Sequence, residues 1–161
     1  MTHMDLGLAD RVYLLAGSTR GLGWAAAQAL VADGARVVVS GRSGERVQAA
    51  VDSLGGHRAV GVVGDNSDSR LAERLVEAAQ TRFGRLDGAL VSVGGPATGT
   101  IASTTDDAWR DAFETVFLGA VRLGRVVAEA LPDGGAIVFV LSTSVKSPIA
   151  GLSTSNGMRP G

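Results

Sequence analysis

Between the apolar run at 12–16 and a helix-like stretch from Trp24 lies Ala-Gly-Ser-Thr-Arg-Gly-Leu-Gly, residues 16–23. No other segment narrows the choice of fold as far. Gly17 can make a tight exit from a strand, Gly21 lets backbone amides approach an anion with no Cβ in the way, and Gly23 lets the following helix pack closely on a sheet. A helix that begins there points unpaired N–H groups and partial positive charge at whatever lies in the turn, a natural seat for a pyrophosphate. A glycine cluster can also be a plain strand-to-helix turn. Its place after the first strand of a βαβ pattern is what favours a nucleotide.

Short β-branched runs alternate with longer segments of helical period, which predicts an α/β fold of Rossmann type: a doubly wound parallel sheet with helices on both faces. Strands are expected at 12–16, 36–40, 59–63, 89–93 and 136–141, and helices at 22–33, 45–54, 70–83 and 106–131. In the last helix Phe113, Val116, Phe117, Ala120, Val121, Gly124, Val127 and Leu131 recur at three- and four-residue spacing, the pattern of a buried stripe. The longest irregular stretch, 94–105, follows the fourth strand. Loops at the carboxyl ends of strands are where open α/β sheets bind ligands.

With 161 residues, 45% of them apolar, the chain is sized for a single dinucleotide-binding domain. Residues 1–4 read as a cloning remnant, with Met4 as the natural start. A formal charge of −1 gives no electrostatic case for nucleic acid. No apolar run approaches the ~20 residues that span a bilayer, so no membrane partner is expected and the cytoplasm is the default location. The absence of cysteine rules out disulfides and thiolate chemistry. Asp65, Asp68, Asp106 and Asp107 do not form a metal set, since the last two sit at a helix start, where carboxylates offset the dipole.

Cofactor choice depends on charge at the end of the second strand, where an acidic residue would hydrogen-bond a ribose 2′-hydroxyl. Ser40-Gly41-Arg42-Ser43 stands there instead, and Arg20 in the glycine turn can reach the same side. Two guanidinium groups and no carboxylate suit a 2′-phosphate, because a guanidinium donates two parallel charge-assisted hydrogen bonds. NADP(H) is therefore expected rather than NAD(H).

These features together resemble the amino-terminal two thirds of a short-chain dehydrogenase/reductase of the ketoacyl-reductase kind. The family's G-x-x-x-G-x-G turn corresponds to Gly17-Ser18-Thr19-Arg20-Gly21-Leu22-Gly23, and its aspartate after the third strand to Asp65, followed by Asn66. The Asn-Asn-Ala-Gly motif is reduced to Ser92-Val93-Gly94-Gly95. The resemblance implies that Gly17, Ser18, Thr19, Arg20, Gly21, Leu22, Gly23, Arg42, Ser43, Asp65, Asn66 and Gly94 bind the cofactor. It implies a small-molecule carbonyl substrate and a homo-oligomer paired through the helix at 106–131.

The catalytic half departs from the family. Ser142, at the end of the fifth strand, takes the position of the catalytic serine; thirteen residues on stands Ser155, with Arg159 four further, where the family carries tyrosine and lysine. The supporting asparagine falls on Val116. A serine hydroxyl is a far weaker acid than a phenol, and a guanidinium does not release its proton in a protein. Arg159 would anchor rather than relay. Ser142, with Ser144, Ser153 or Asn156, could still hydrogen-bond a carbonyl oxygen. A serine nucleophile lacks a base, since the only histidines are His3 and His57.

The expected activity is carbonyl/alcohol interconversion by hydride transfer, with Ser142, Ser155 and Arg159 as the catalytic set. The alternative is a catalytically inactive NADP(H)-binding module that acts as a sensor or interaction subunit. A flavodoxin-like sheet holding a mononucleotide is a weaker third. The family fold continues past the helix in which this sequence stops, so its last strands are missing. The fifth strand is then expected at an open edge, with the stripe on the 106–131 helix exposed. A truncated chain, or a partner that covers this surface, would account for that.

Overall fold

The computed structural model describes residues 6–160; the remnant expected at 1–4, with His3, lies outside them. Five strands form one parallel sheet in the order β3-β2-β1-β4-β5: β1 Val12–Ala16, β2 Arg36–Gly41, β3 Ala59–Val63, β4 Gly88–Val91 and β5 Ala136–Phe139. Strand order reverses between β1 and β4, and a doubly wound sheet opens its ligand crevice at that reversal.

Period-two alternation distributes the core to two faces. On one, Leu14, Val38 and Val91 pack against Leu71, Leu75 and Ala79 of α3 (Leu71–Phe83) and Leu123 and Val127 of α5 (Gly119–Ala130). On the other, Leu15, Val37 and Val39 meet Ala27 of α1 (Gly21–Ala32) and Ala50 of α2 (Gly44–Ser53). Leu14, Leu15, Val37, Val38 and Val39 are fully buried. Tyr13 is partly buried, its ring lying over Gly88 of the neighbouring strand.

β4 and β5 are shorter than the apolar runs suggest, since Val93 and Leu141 already belong to the irregular segments beyond them. The helix expected at 106–131 is divided into α4 (Asp106–Ala112), a π-helical stretch over Phe113–Leu118, and α5. Such wide turns carry an extra residue and rotate the side chains beyond them. The stripe therefore does not run straight. Val116, Leu123 and Val127 are buried, whereas Phe113 and Val121 are exposed. Gly119, at the junction, touches the loop after β3: a Cβ there would stand 2.5 Å from the Asn66 carbonyl oxygen.

Among the described residues, β5 forms one edge of the sheet. Val138, Phe139 and Leu141 are exposed there, as the sequence led us to expect of a sheet lacking the family's last strands. The chain ends with a 3₁₀ turn at Thr143–Val145 and a short helix, α6, at Ser153–Met158.

Candidate cofactor and active site

The glycine turn lies between the end of β1 and α1, over the crevice. Gly17 has φ +67°, and a Cβ on it would collide with the Ser92 carbonyl at the end of β4. A Cβ on Gly23 would lie 2.6 Å from the Gly17 carbonyl oxygen and 3.0 Å from Ser18 Cα. Close approach thus dictates both glycines. Gly21, at φ +59°, has nothing near its Cβ position, so the turn leaves open space in front of the helix. The residue before α1 is Arg20, whose side chain makes no cap. The first-turn amides of a twelve-residue helix therefore face that space without a side-chain acceptor, and a phosphate fits both the room and the dipole.

Ser18 does not face the crevice. Fully buried, it donates its hydroxyl to the Leu15 carbonyl at 2.7 Å and accepts from the Ser40 amide at 3.2 Å. Its proton and one lone pair are used within the protein, so the hydroxyl joins the turn to β2. Ser40 is likewise turned inward, accepting from the Gly17 amide. Thr19 fills the space over Gly41, where a Cβ would lie 2.9 Å from its side chain. Leu22 is 71% exposed beside the helix start.

At the end of β2, Arg42 is largely exposed, its Nε 3.7 Å from Asp65 Oδ2. Ser43 caps α2 by accepting from the Arg46 amide. Burial works to raise the Asp65 pKa, but hydrogen bonds from the Ser67 amide and hydroxyl, with the Arg42 charge, outweigh it and hold the carboxyl below its ordinary value. Asp65 is thus an anion held by Ser67 beside the exposed Arg42 guanidinium. Asn66 lies beside it against Gly119.

At the carboxyl ends of β4 and β5 the structure gives the serines of the 142–144 run different places. Ser142 accepts from the Ser144 amide at 3.2 Å and caps the 3₁₀ turn. It is Ser144 that faces Ser155, the two Oγ atoms 3.3 Å apart and the residues 2% and 5% exposed. The position thirteen residues before Ser155 is thus the hydroxyl that caps the 3₁₀ turn, and the hydroxyl that faces Ser155 comes from within the turn. The signal for Ser144 was its place in the same Ser-Thr-Ser run.

One turn along α6, Arg159 donates to the Val140 carbonyl at 3.4 Å and the Gly94 carbonyl at 3.3 Å, bridging the two strand ends. Burial lowers its pKa from the ordinary arginine value, yet a guanidinium remains a cation throughout the physiological range. The loops beyond β4 and β5 are fastened to each other. Gly99 pairs with Leu152 as an isolated parallel bridge, Thr154 donates to the Ala97 carbonyl, and Asn156 pairs with both backbone groups of Ile149. Among the described residues no group of acidic or histidine side chains could hold a metal.

The short chain dehydrogenase family model matches residues 11–154. Human dehydrogenase/reductase SDR family member 4 is 34% identical to the chain over 97% of it, which is 58% of that protein. A short chain dehydrogenase from Burkholderia cenocepacia, solved with NADP, superposes with a TM-score of 0.88 at 29% identity, covering 95% of this chain and 64% of that one. L-sorbose reductase from Gluconobacter frateurii, solved with NADPH and L-sorbose, gives 0.87 at 27% identity, covering 98% and 62%. The chain thus spans about half the length of the curated relatives it matches. A glycine cradle at the strand-order reversal, a five-stranded parallel sheet and a family match over most of the sequence lead to one conclusion: the chain belongs to the short chain dehydrogenase family.

Proposed function

We propose that the chain binds NADP(H) in the glycine cradle and supports interconversion of a small-molecule carbonyl and its alcohol in the cytoplasm. The observation that carries this reading is the uncapped start of α1 over open space at Gly21, with Arg42 at the end of β2 where an NAD-type site carries a carboxylate. The liganded states of the Burkholderia and Gluconobacter neighbours support it. Gly17, Thr19, Arg20, Gly21, Leu22 and Gly23 would surround the pyrophosphate, with Arg42 and Arg20 on the 2′-phosphate and Asp65, Asn66 and Gly94 lining the remainder. No described helix is long and apolar enough to cross a membrane.

When bound, the cofactor supplies the hydride. Ser144 and Ser155 would hydrogen-bond the carbonyl oxygen, and Arg159 would hold the strand ends that carry them. The site offers no phenol, so the proton on the product oxygen would come from water; general acid catalysis contributes roughly 10²–10⁴ in rate, and turnover should be slow. Pairing of two copies through the segment expected as a helix at 106–131 belongs to the same reading, supported by the exposed Phe113 ring stacked on Phe117.

Calorimetric titration of NADPH and NADH tests the cofactor, and NADPH oxidation across a panel of ketones tests the chemistry. NADPH binding at least about tenfold tighter than NADH is expected. Equal affinities would refute the NADP(H) assignment. Binding without any ketone-dependent oxidation would leave the inactive module in its place.

A further inference from the structure

Thr154 is fully buried, and its hydroxyl donates to the Ala97 carbonyl at 2.9 Å, across 57 residues of sequence. It belongs to a set of bonds that ties the start of α6 to the loop after β4. The Gly99 amide donates to the Gly151 carbonyl at 2.7 Å, the Ser153 amide donates to the Gly99 carbonyl at 3.1 Å, and the Ser153 and Thr104 hydroxyls stand 2.8 Å apart. The backbone bonds fix where α6 begins. The Thr154 bond, made by a side chain inside the first turn, fixes how the helix is rotated.

Rotation matters because successive residues of a helix project about 100° apart. With Thr154 directed at Ala97, Ser155 is directed at the 3₁₀ turn, where its Oγ lies 3.3 Å from Ser144 Oγ. A hydroxyl closed to water must keep its partner, so the bond to Ala97 cannot be exchanged for a bond to solvent. Its one proton is spent there and is not offered to a substrate. We propose that Thr154 is the positioning residue of the hydroxyl pair: it sets the rotation of α6 that brings Ser155 onto Ser144, with the loop after β4 as the frame. The consequence for turnover rests on the function proposed above; the consequence for geometry does not.

Crystal structures of Thr154→Val, which keeps the shape of the side chain, and of Thr154→Ala, which does not, test the geometry. In both, the separation of the Ser144 and Ser155 Oγ atoms should open beyond about 3.6 Å, where the hydrogen bond is lost, and Thr154→Ser should keep it shorter. For the ketone of the panel that is reduced fastest, kcat should fall about 10- to 100-fold in Thr154→Val, the effect of displacing a reacting group by roughly 1 Å, while KM for NADPH stays within about twofold. Thr154→Ser should recover most of the rate. In a Ser155→Ala protein the further change Thr154→Val should alter kcat by less than about twofold, since the group being positioned is gone. A threonine with a merely structural role would cost the same in both backgrounds. An unchanged Oγ separation in Thr154→Val and Thr154→Ala, or equal losses of kcat with and without Ser155, would overturn the proposal. Absence of ketone-dependent oxidation by the unsubstituted protein would remove the proposed chemistry, and the Oγ separation alone would then decide whether Thr154 positions the pair.

Discussion

Ser144 Oγ stands 3.3 Å from Ser155 Oγ, with both side chains almost closed to solvent, while the hydroxyl of Ser142 is occupied by the Ser144 amide. Two hydroxyls that touch only each other can turn their protons toward a third oxygen at little cost; a hydroxyl that caps a turn contributes to the shape of the loop. Ser144→Ala is therefore expected to lower kcat/KM for ketone reduction by about 10²–10³, the usual effect of removing one donor from a developing oxyanion. Ser142→Ala should lose less than about 1 kcal/mol of stability, as for a weak helix cap, and keep most of its turnover. Steady-state kinetics beside urea denaturation separates the two, and equal losses of kcat/KM would place the reacting carbonyl elsewhere.

Gly21 and Gly23 look alike in the sequence but should fail differently. A Cβ at Gly23 would press on the Gly17 carbonyl and Ser18 backbone, neither of which can swing aside. Gly23→Ala should cost about 1–3 kcal/mol, the range for overpacking, and weaken NADPH because α1 is pushed off the turn. Gly21 has free space and a positive φ, so Gly21→Ala should cost about 1 kcal/mol in backbone strain. Its Cβ would enter the space where a phosphate fits, so NADPH affinity should fall further than stability. Denaturation midpoints measured with and without NADPH check both.

The sheet was legible from the sequence because its strands carry consecutive apolar residues that only a sheet covered on both faces can bury: Leu14 and Leu15 pack on opposite helix layers. The glycine turn was legible because backbone clearance has no other sequence solution. Hydroxyl roles were not, since Ser18, Ser142 and Ser144 differ only in which direction a turn points them. The π-helical stretch has no sequence mark of its own; it arises where Gly119 is pressed against Asn66, a contact between segments far apart in the chain. Asp87 escaped notice for the same reason, since its partners come from Val12, Arg11 and Arg85.

Asp87 makes an acid-stability prediction. Its side chain is 3% exposed and accepts from the Val12 amide at 2.8 Å and from Arg85 through both carboxylate oxygens. Burial would raise its pKa, but the Arg85 and Val12 hydrogen bonds, with the charges of Arg85 and Arg11, prevail and lower it. A carboxyl whose folded pKa lies below its unfolded value, about 3.9, adds stability that is complete above that value and is lost as pH falls through the folded one. Asp87→Ala should therefore cost about 1–3 kcal/mol at neutral pH, from a buried amide left unpaired and charge-assisted bonds removed. It should also flatten the decline in stability below about pH 4. Chemical denaturation between pH 3 and 7 measures both, and a parallel decline in the two proteins would assign the acid sensitivity to another carboxylate.

On the proposed reading Arg42 sets the cofactor preference, and its surroundings specify how. The guanidinium is 76% exposed and its Nε lies 3.7 Å from Asp65 Oδ2, too long for a hydrogen bond, so the group remains available for a planar, two-pronged contact with a phosphate. Arg42→Ala should weaken NADPH by about 10–100-fold, the equivalent of one charge-assisted pair, and leave NADH within about twofold. Arg42→Lys should recover only part of the loss, because an ammonium cannot make the forked contact. Because the site is open to solvent, the NADPH preference should also shrink as salt rises from about 0.01 M to 1 M, where the screening length falls from roughly 30 Å to 3 Å. A preference insensitive to both salt and Arg42 would mean that the phosphate is held by backbone amides at the start of α2 instead, and that the guanidinium serves only to neutralise Asp65.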